Sequence, residues 1–298
     1  MPVTAVTSPA GEGVDLNVTF YGVRGSTPCP SEDNRRYGGN TACVALEVAG
    51  QDPIVLDLGT GLRFWGQTLP TDGSFRGRAL VTHLHWDHVQ GLPFFVPVDR
   101  PGARLDVYGP RQEDGTSLAE VFDDFMRPPY FPLRAADLRG TIVFHDLGDA
   151  DLSMGEAKVR VRSVPHRGAT NGYRVEWDGV TVAYVSDHQS PLDGGPVVAE
   201  SVLELCDGAD LLIHDAQYTP DEWSQRSHWG HCTVDYAVEV ARQAGVRRLV
   251  LFHHDPSHGD EVVDRMLEDA RSAAAGSGIE EVLAASEGLT IAMGPRAW

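Results

Sequence analysis

The densest run of potential metal donors in this 298-residue chain is Thr82-His83-Leu84-His85-Trp86-Asp87-His88. It follows directly on the apolar stretch Ala79-Leu80-Val81. Imidazole nitrogen and carboxylate oxygen suit zinc and related divalent ions. If the chain enters this run extended, His83 and His85 project to one side, because side chains of a strand alternate with period two. Asp87 and His88 then lie past a turn and can serve a neighbouring ion. These four side chains do not close two ions, so further donors must return later. Three apolar stretches end in them: Val164-Pro165-His166, Val185-Ser186-Asp187 and Leu251-Phe252-His253-His254. Donors carried on several strand ends can converge on one edge of a sheet, as an α/β active site requires. Of the two adjacent histidines, His253 comes immediately after the apolar run Leu249-Val250-Leu251-Phe252, which favours it over His254.

A His-x-His-x-Asp-His cluster, a later His, a strand-end Asp and a final His together resemble the metallo-β-lactamase superfamily, from about Val18 to Met293. The resemblance implies an α/β fold, a four-layer αββα sandwich with a dinuclear site at the mouth between two sheets. By that likeness His83, His85 and His166 hold one divalent ion, Asp87, His88 and His253 hold the second, and Asp187 bridges them. Zinc is the expected metal, with manganese or iron as alternatives. No cysteine occupies a ligand position, and the second site is more complete than in relatives that open β-lactam rings. Leu211-Leu212-Ile213-His214-Asp215-Ala216 and Trp229-Gly230-His231-Cys232-Thr233 look like two motifs of the ribonuclease Z and phosphodiesterase branch, with Asp215 in place of Glu and Cys232 in place of Ser. Carried across, His231 would act on the leaving oxygen and Asp215 would hold its imidazole. The stretch Gly22-Val23-Arg24-Gly25-Ser26-Thr27-Pro28, followed by Tyr37-Gly38-Gly39-Asn40-Thr41, resembles a segment that lies beside the metal mouth in that branch.

The expected activity is hydrolysis of a small phosphodiester, such as a cyclic nucleotide, by a metal-bound hydroxide, with Asp87 orienting that nucleophile or taking its proton. The alternatives are hydrolysis of a lactone, thioester or β-lactam, RNA 3′-end processing, and nucleotide binding without turnover. The segment between Asp187 and Asp215 is too short for the long arm with which ribonuclease Z enzymes clamp transfer RNA. Asp57 is read either as a hydrogen-bond acceptor behind a ligand histidine or as a cap of the Gly59-Thr60-Gly61 turn. Trp86, Tyr130, Phe131 and Trp229 are candidates for an aromatic rim that meets a base. The Arg127-Pro128-Pro129-Tyr130-Phe131-Pro132 loop is equally readable as a homodimer contact. His145, His188, His228 and His258 are not assigned a role in the chemistry.

The elements that must position these residues read as short strands first, then strands alternating with helices. Strands are predicted over Val18–Val23, Cys43–Val48, Pro53–Leu58, Ala79–Thr82, Leu105–Tyr108, Thr141–Phe144, Lys158–Val164 and Gly172–Trp177. Further strands are predicted over Val180–Val185, Leu211–His214, Leu249–Phe252 and Leu289–Met293. Helical spacing is read over Thr116–Met126, Val197–Cys206, Thr233–Ala244 and Glu261–Ala275. That order suggests layered α/β packing in one domain, residues 18–298, preceded by a flexible tail over residues 1–17. Hydrophobic residues make up 42% of the chain, enough for a proper core. The charge is −19, from 24 Lys plus Arg against 43 Asp plus Glu, with no basic cluster, so a long nucleic acid is not the expected partner. Neither a secretory signal nor a membrane-spanning run is read. Four cysteines without a Cys-x-x-Cys pair point to no disulfide framework and to the cytoplasm.

Overall fold

The computed structural model describes Ala5–Thr7 and residues 16–177 and 179–294. The chain first lays down seven strands: β1 (Ala5–Thr7), β2 (Leu16–Gly22), β3 (Cys43–Glu47), β4 (Ile54–Leu56), β5 (Arg76–Leu80), β6 (Arg104–Pro110) and β7 (Thr141–Leu147). Seven more build a second sheet: β8 (Ala150–Met154), β9 (Ala157–Ser163), β10 (Asn171–Trp177), β11 (Val180–Val185), β12 (Leu211–Asp215), β13 (Arg248–Phe252) and β14 (Glu281–Ala284). β15 (Thr290–Met293) then returns to the first sheet. The strand orders are β1-β15-β2-β3-β4-β5-β6-β7 and β14-β13-β12-β11-β10-β9-β8.

The alternation of side chains sorts the apolar residues into layers. In β11, Val180, Val182 and Tyr184 enter the core between the sheets, while Ala183 and Val185 join the cluster on the other face. Val250 and Phe252 of β13 likewise face inward, and Leu249 and Leu251 outward. A strand covered on both faces needs a near-continuous apolar run, and β11 to β13 have one. From the first sheet, Val18, Phe20, Val44, Leu46, Leu56 and Leu80 complete the inner core.

The outer face of the second sheet is covered by α4 (Glu200–Cys206), α6 (Val234–Gln243) and α7 (Asp260–Ala274), through Val202, Ala237, Val240, Met266 and Ala270. The outer face of the first sheet is covered by α1 (Leu62–Trp65), α2 (Trp86–Val89) and α3 (Leu118–Phe125), with Trp65 stacked on Phe95 (ring centroids 5.5 Å apart). Short α5 (Pro220–Arg226) completes the helices. The result is the expected four-layer αββα sandwich.

Two expectations change. β2 begins at Leu16 rather than Val18, because Leu16 and Asn17 already pair with Met293 and Ala292 of β15. Within the stretch read as a flexible tail, Ala5–Thr7 pairs in parallel with Thr290–Ala292 at the sheet edge. The rest of that tail, residues 1–4 and 8–15, lies outside the described residues. Among the described residues, no helix is long and apolar enough to cross a membrane, and all four cysteines are free.

Parallel pairing sets the site. β11, β12 and β13 run in parallel, with Val185 in register with His214 and Asp215 with Phe252. β9 is antiparallel to β10, which is antiparallel to β11, so β9 points the same way as β11. His166, Asp187, Asp215 and His253 therefore all leave the second sheet at one edge. In the first sheet, β4 and β5 are parallel and deliver Asp57 and the His83–His88 run to that same mouth.

Candidate metal centre

His83 follows β5, His85 caps α2, and Asp87 and His88 occupy the first turn of α2. His83 Nε2 lies 2.8 Å from His85 Nδ1, and His166 Nε2 lies 3.4 Å from the same atom. A second group forms beside the first. His88 Nε2 is 3.2 Å from Asp87 Oδ2 and 3.2 Å from His253 Nε2, and His253 Nε2 is 3.1 Å from Asp87 Oδ2. Asp187 stands between them. Its Oδ1 faces His83 Nε2 at 3.8 Å and His166 Nε2 at 3.7 Å, and its Oδ2 faces His88 Nε2 at 3.2 Å and His253 Nε2 at 3.5 Å.

All seven residues named from the sequence as metal donors are thus brought together. His254 is not among them: it points the other way, bonds the Ala285 carbonyl at 2.9 Å and meets the Tyr37 ring. Burial there pushes its pKa down to about 3.

The outer nitrogens of the histidines show what the inner ones are for. His83 Nδ1 lies 3.1 Å from Thr82 Oγ1, His88 Nδ1 2.8 Å from Asp57 Oδ2, His166 Nδ1 2.6 Å from the Gly230 carbonyl and His253 Nδ1 2.9 Å from Gln217 Oε1. Those acceptors keep the ring proton on the outer nitrogen. The inner nitrogens thus converge at hydrogen-bond distance, where deprotonated they would present their lone pairs to a shared cation.

The charges agree with this. Burial opposes charge on Asp187, yet His253, His88, His83 and His166 around it hold its carboxyl well below the usual range. Burial also opposes a proton on His88, but Asp87, Asp187 and Asp57 hold its pKa well above that of a free imidazole. Three carboxylates around one buried ring demand positive charge, and a divalent ion meets that demand. Burial pushes His166 down to about 4 and His83 and His85 below the ordinary value, so these rings are neutral donors near pH 7. The residues present therefore fit divalent ions.

Asp57 resolves in favour of an acceptor behind His88. Fully buried, it also takes hydrogen bonds from the Thr82 amide (2.7 Å) and the Tyr184 hydroxyl (2.8 Å). His231 Nδ1 is 2.9 Å from Asp215 Oδ2 and 3.6 Å from Asp187 Oδ1. Burial works against its proton, but Asp215, Asp187 and Asp87 raise its pKa. Asp215 is itself fixed by the amides of His188 (3.1 Å) and Gln217 (2.9 Å). The cleft above the cluster has a volume of about 280 Å³ and is lined by Ser26, His85, Trp86, Asp87, Asp187, Trp229, His231 and His253.

Sequence reasoning missed Gln217, Thr82, Ser186 and the backbone of Ser26. The Ser26 amide donates to Asp87 Oδ2 at 2.7 Å and the Ser186 hydroxyl to Asp187 Oδ2 at 2.8 Å. Of these, Thr82, Ser186 and Ser26 lay in stretches the sequence had singled out, and Gln217 did not. Three of the four unassigned histidines have side-chain partners outside the donor set: His145 pairs with Asp106, His258 with Glu222, and His188 with His214.

Known proteins resemble this chain over most of its length. Ribonuclease Z of Haloarcula marismortui is 25% identical over 92% of this chain and 96% of its own. Ribonuclease Z of Synechococcus sp. WH7803 is 28% identical over 82% and 86%. Two solved structures share the fold: the metallo-β-lactamase fold protein YhfI from Bacillus subtilis (20% identity, TM-score 0.70, 94% of this chain and 100% of that one), and human tRNase Z, short form (22%, 0.66, 92% and 98%). The sequence model of the family described as Beta-lactamase superfamily domain matches residues 74–254, more than half of the chain and all seven residues of the donor set. The chain therefore belongs to the β-lactamase superfamily, as a hydrolase of the metallo-β-lactamase fold.

Proposed function

We propose that this protein is a dinuclear phosphodiesterase acting on a small phosphodiester such as a cyclic nucleotide. The observation that carries the reading is Asp187, which turns one oxygen to each histidine group while His231, oriented by Asp215, stands beside it. His83, His85, His166 and Asp187 would hold one divalent ion, and Asp87, His88, His253 and Asp187 the other. So held, the ions supply Lewis-acid polarisation of phosphoryl oxygens and a nucleophilic water at neutral pH.

The chain's own groups do the rest. The Ser26 amide keeps Asp87 turned into the cleft, where its carboxylate orients the nucleophile or takes its proton. The Asp215 carboxylate engages Nδ1 of His231, leaving Nε2 as the nitrogen that gives a proton to the departing oxygen. Relatives named ribonuclease Z and a solved diphosphatase of the PhnP family, alike in fold (TM-score 0.67), support phosphoester chemistry.

A small substrate fits the surface better than a long RNA. Arg36, Arg104, Arg134, Arg139, Arg162 and Arg247 are each paired with a carboxylate (Asp264, Asp106, Asp123, Asp99, Glu204 and Glu280), so they offer little to a phosphate backbone. Turnover of bis(p-nitrophenyl) phosphate that requires added zinc or manganese, and that His83→Ala abolishes, is the expected result. Absence of turnover of any phosphodiester by metal-loaded protein overturns the reading. Preference for a lactone, thioester or β-lactam at equal metal loading would replace it.

A further inference from the structure

An apolar groove of about 600 Å³ opens beside the metal cleft, walled by Leu84, Trp86, Phe94, Phe125, Tyr130 and Phe131. Its origin is visible in α3. Leu118 and Phe122 are buried and anchor the helix, while Val121 and Phe125, also four residues apart, form a second stripe that lines the groove. Phe131 meets Phe94 edge to face at 5.8 Å, which fixes the far wall. Phe94 is 58% exposed and Trp86 72% exposed, in a chain whose core is otherwise well covered.

Trp86 belongs to both cavities: it lines the groove and also the cleft with His85, Asp87 and Asp187. A phosphoryl group seated over the donor cluster would therefore extend its substituent across Trp86. The volume lies within the range of small-molecule sites. The groove's polar groups are few: Gln90, the Tyr130 hydroxyl and Asp124, whose carboxylate is paired with Arg127. Trp229, which the sequence grouped with this rim, lines the cleft but not the groove.

We propose that this groove is the subsite for a planar aromatic ring carried by the phosphoester substrate, with Phe94 and Phe125 setting the preference for aryl over alkyl substituents. The ring stacks on aromatic walls while the phosphoryl group is held at the metal cluster. The subsite rests on the phosphoester reading for its anchored group, but its test does not require turnover.

Zinc-loaded protein is titrated calorimetrically with phenyl phosphate and with methyl phosphate. The phenyl ester is expected to bind about tenfold more tightly or better, as burial of a ring in place of a methyl group dictates. Phe94→Ala and Phe125→Ala should each lower the phenyl-to-methyl affinity ratio by about three- to fivefold. A ratio near one in the unaltered protein, or a ratio that neither variant changes, overturns the subsite. Should Phe125→Ala fail to fold, Phe94→Ala decides alone, since Phe94 is largely exposed. A phenyl preference that falls in the variants, found in a protein that cleaves no phosphodiester, upholds the groove and refutes the phosphodiesterase reading. Diester cleavage with no aryl preference does the reverse.

Discussion

Gly25→Ala offers a severe test of the centre, because it touches no donor covalently and adds only one methyl group. A Cβ built on Gly25 would lie 2.4 Å from Cε1 and 2.5 Å from Nδ1 of His253, and 3.0 Å from Gln217 Oε1. Ordinary carbon–carbon contact begins at about 3.5 Å, so the ring must retreat by roughly 1 Å. It has little room: His253 is 1% exposed, its Nδ1 is tied to Gln217 at 2.9 Å, and its inner nitrogen faces His88 and Asp87. Metal–ligand distances tolerate only about 0.2 Å, so a displacement of this size costs His253 as a donor. Loss of one donor from the second group should halve the bound metal, from two ions per chain toward one. Hydrolysis should fall by about 100-fold, the usual penalty for an ångström of misplacement at a reacting centre. Elemental analysis after gel filtration reads the first quantity and bis(p-nitrophenyl) phosphate turnover the second. Gly148→Ala is the control, because nothing lies within 4 Å of a Cβ there. If Gly25→Ala keeps two ions and the activity of the Gly148→Ala protein, the placement of His253 against the Gly25 backbone is wrong.

His231→Ala should lower kcat by about 10²–10⁴-fold while metal content stays at the unaltered level, because the ring acts on the proton and holds no ion in this reading. Loss of metal in that variant would make His231 a ligand instead. Asp57→Asn leaves the donors of Thr82, His88 and Tyr184 facing an amide, and should cost about 2–4 kcal/mol of stability in urea unfolding. A change below about 0.5 kcal/mol would deny Asp57 its organising role. His254 is buried and neutral, with a pKa of about 3 in the folded chain against an ordinary 6.5, so the unfolded chain alone takes up this proton as pH falls from 6.5 toward 3. Its contribution to stability is therefore full above about pH 6.5 and declines below it by up to about 1.4 kcal/mol per pH unit. His254→Gln should show a shallower acid loss in urea midpoints between pH 6.5 and 4.5; parallel curves would refute the assignment.

The layers and the donor set were legible in the sequence for different reasons. β11 to β13 are buried on both faces, so their continuous apolar runs are conspicuous, and a polar residue that ends such a run is visible as a departure. That is why Asp187 and His253 were found, whereas His166 follows β9, whose alternating residues mark a strand buried on one face. β8 and β14 escaped because they are edge strands, and an edge strand carries less of the alternation that burial imposes. Gln217 escaped because its task is to accept one hydrogen bond from His253, which leaves no spacing signature. Asp57 was ambiguous because a strand-end aspartate before Gly59-Thr60-Gly61 serves a turn as readily as a histidine 31 residues away.

One property of the centre could not have been read at all. Among the described residues, the non-glycine residues with positive φ are Ser26 (60°), Asp57 (59°) and His253 (60°). Each is part of the site: Ser26 offers its amide to Asp87, Asp57 supports His88, and His253 faces Asp87 and Asp187. Left-handed backbone costs a side-chain-bearing residue of order 1–3 kcal/mol and persists only where the surroundings over-determine it. Here the surroundings do so: Asp57 is held by Thr82, Tyr184 and His88, and His253 by Gln217. A chain selected for stability alone would place glycine at such positions. Glycine has no side chain to offer at 57 or 253, where a carboxylate and an imidazole carry the chemistry. The backbone strain therefore falls where an ordinary sequence rule is overridden by the need for a particular donor, and its cost is met by the well-packed strands on either side.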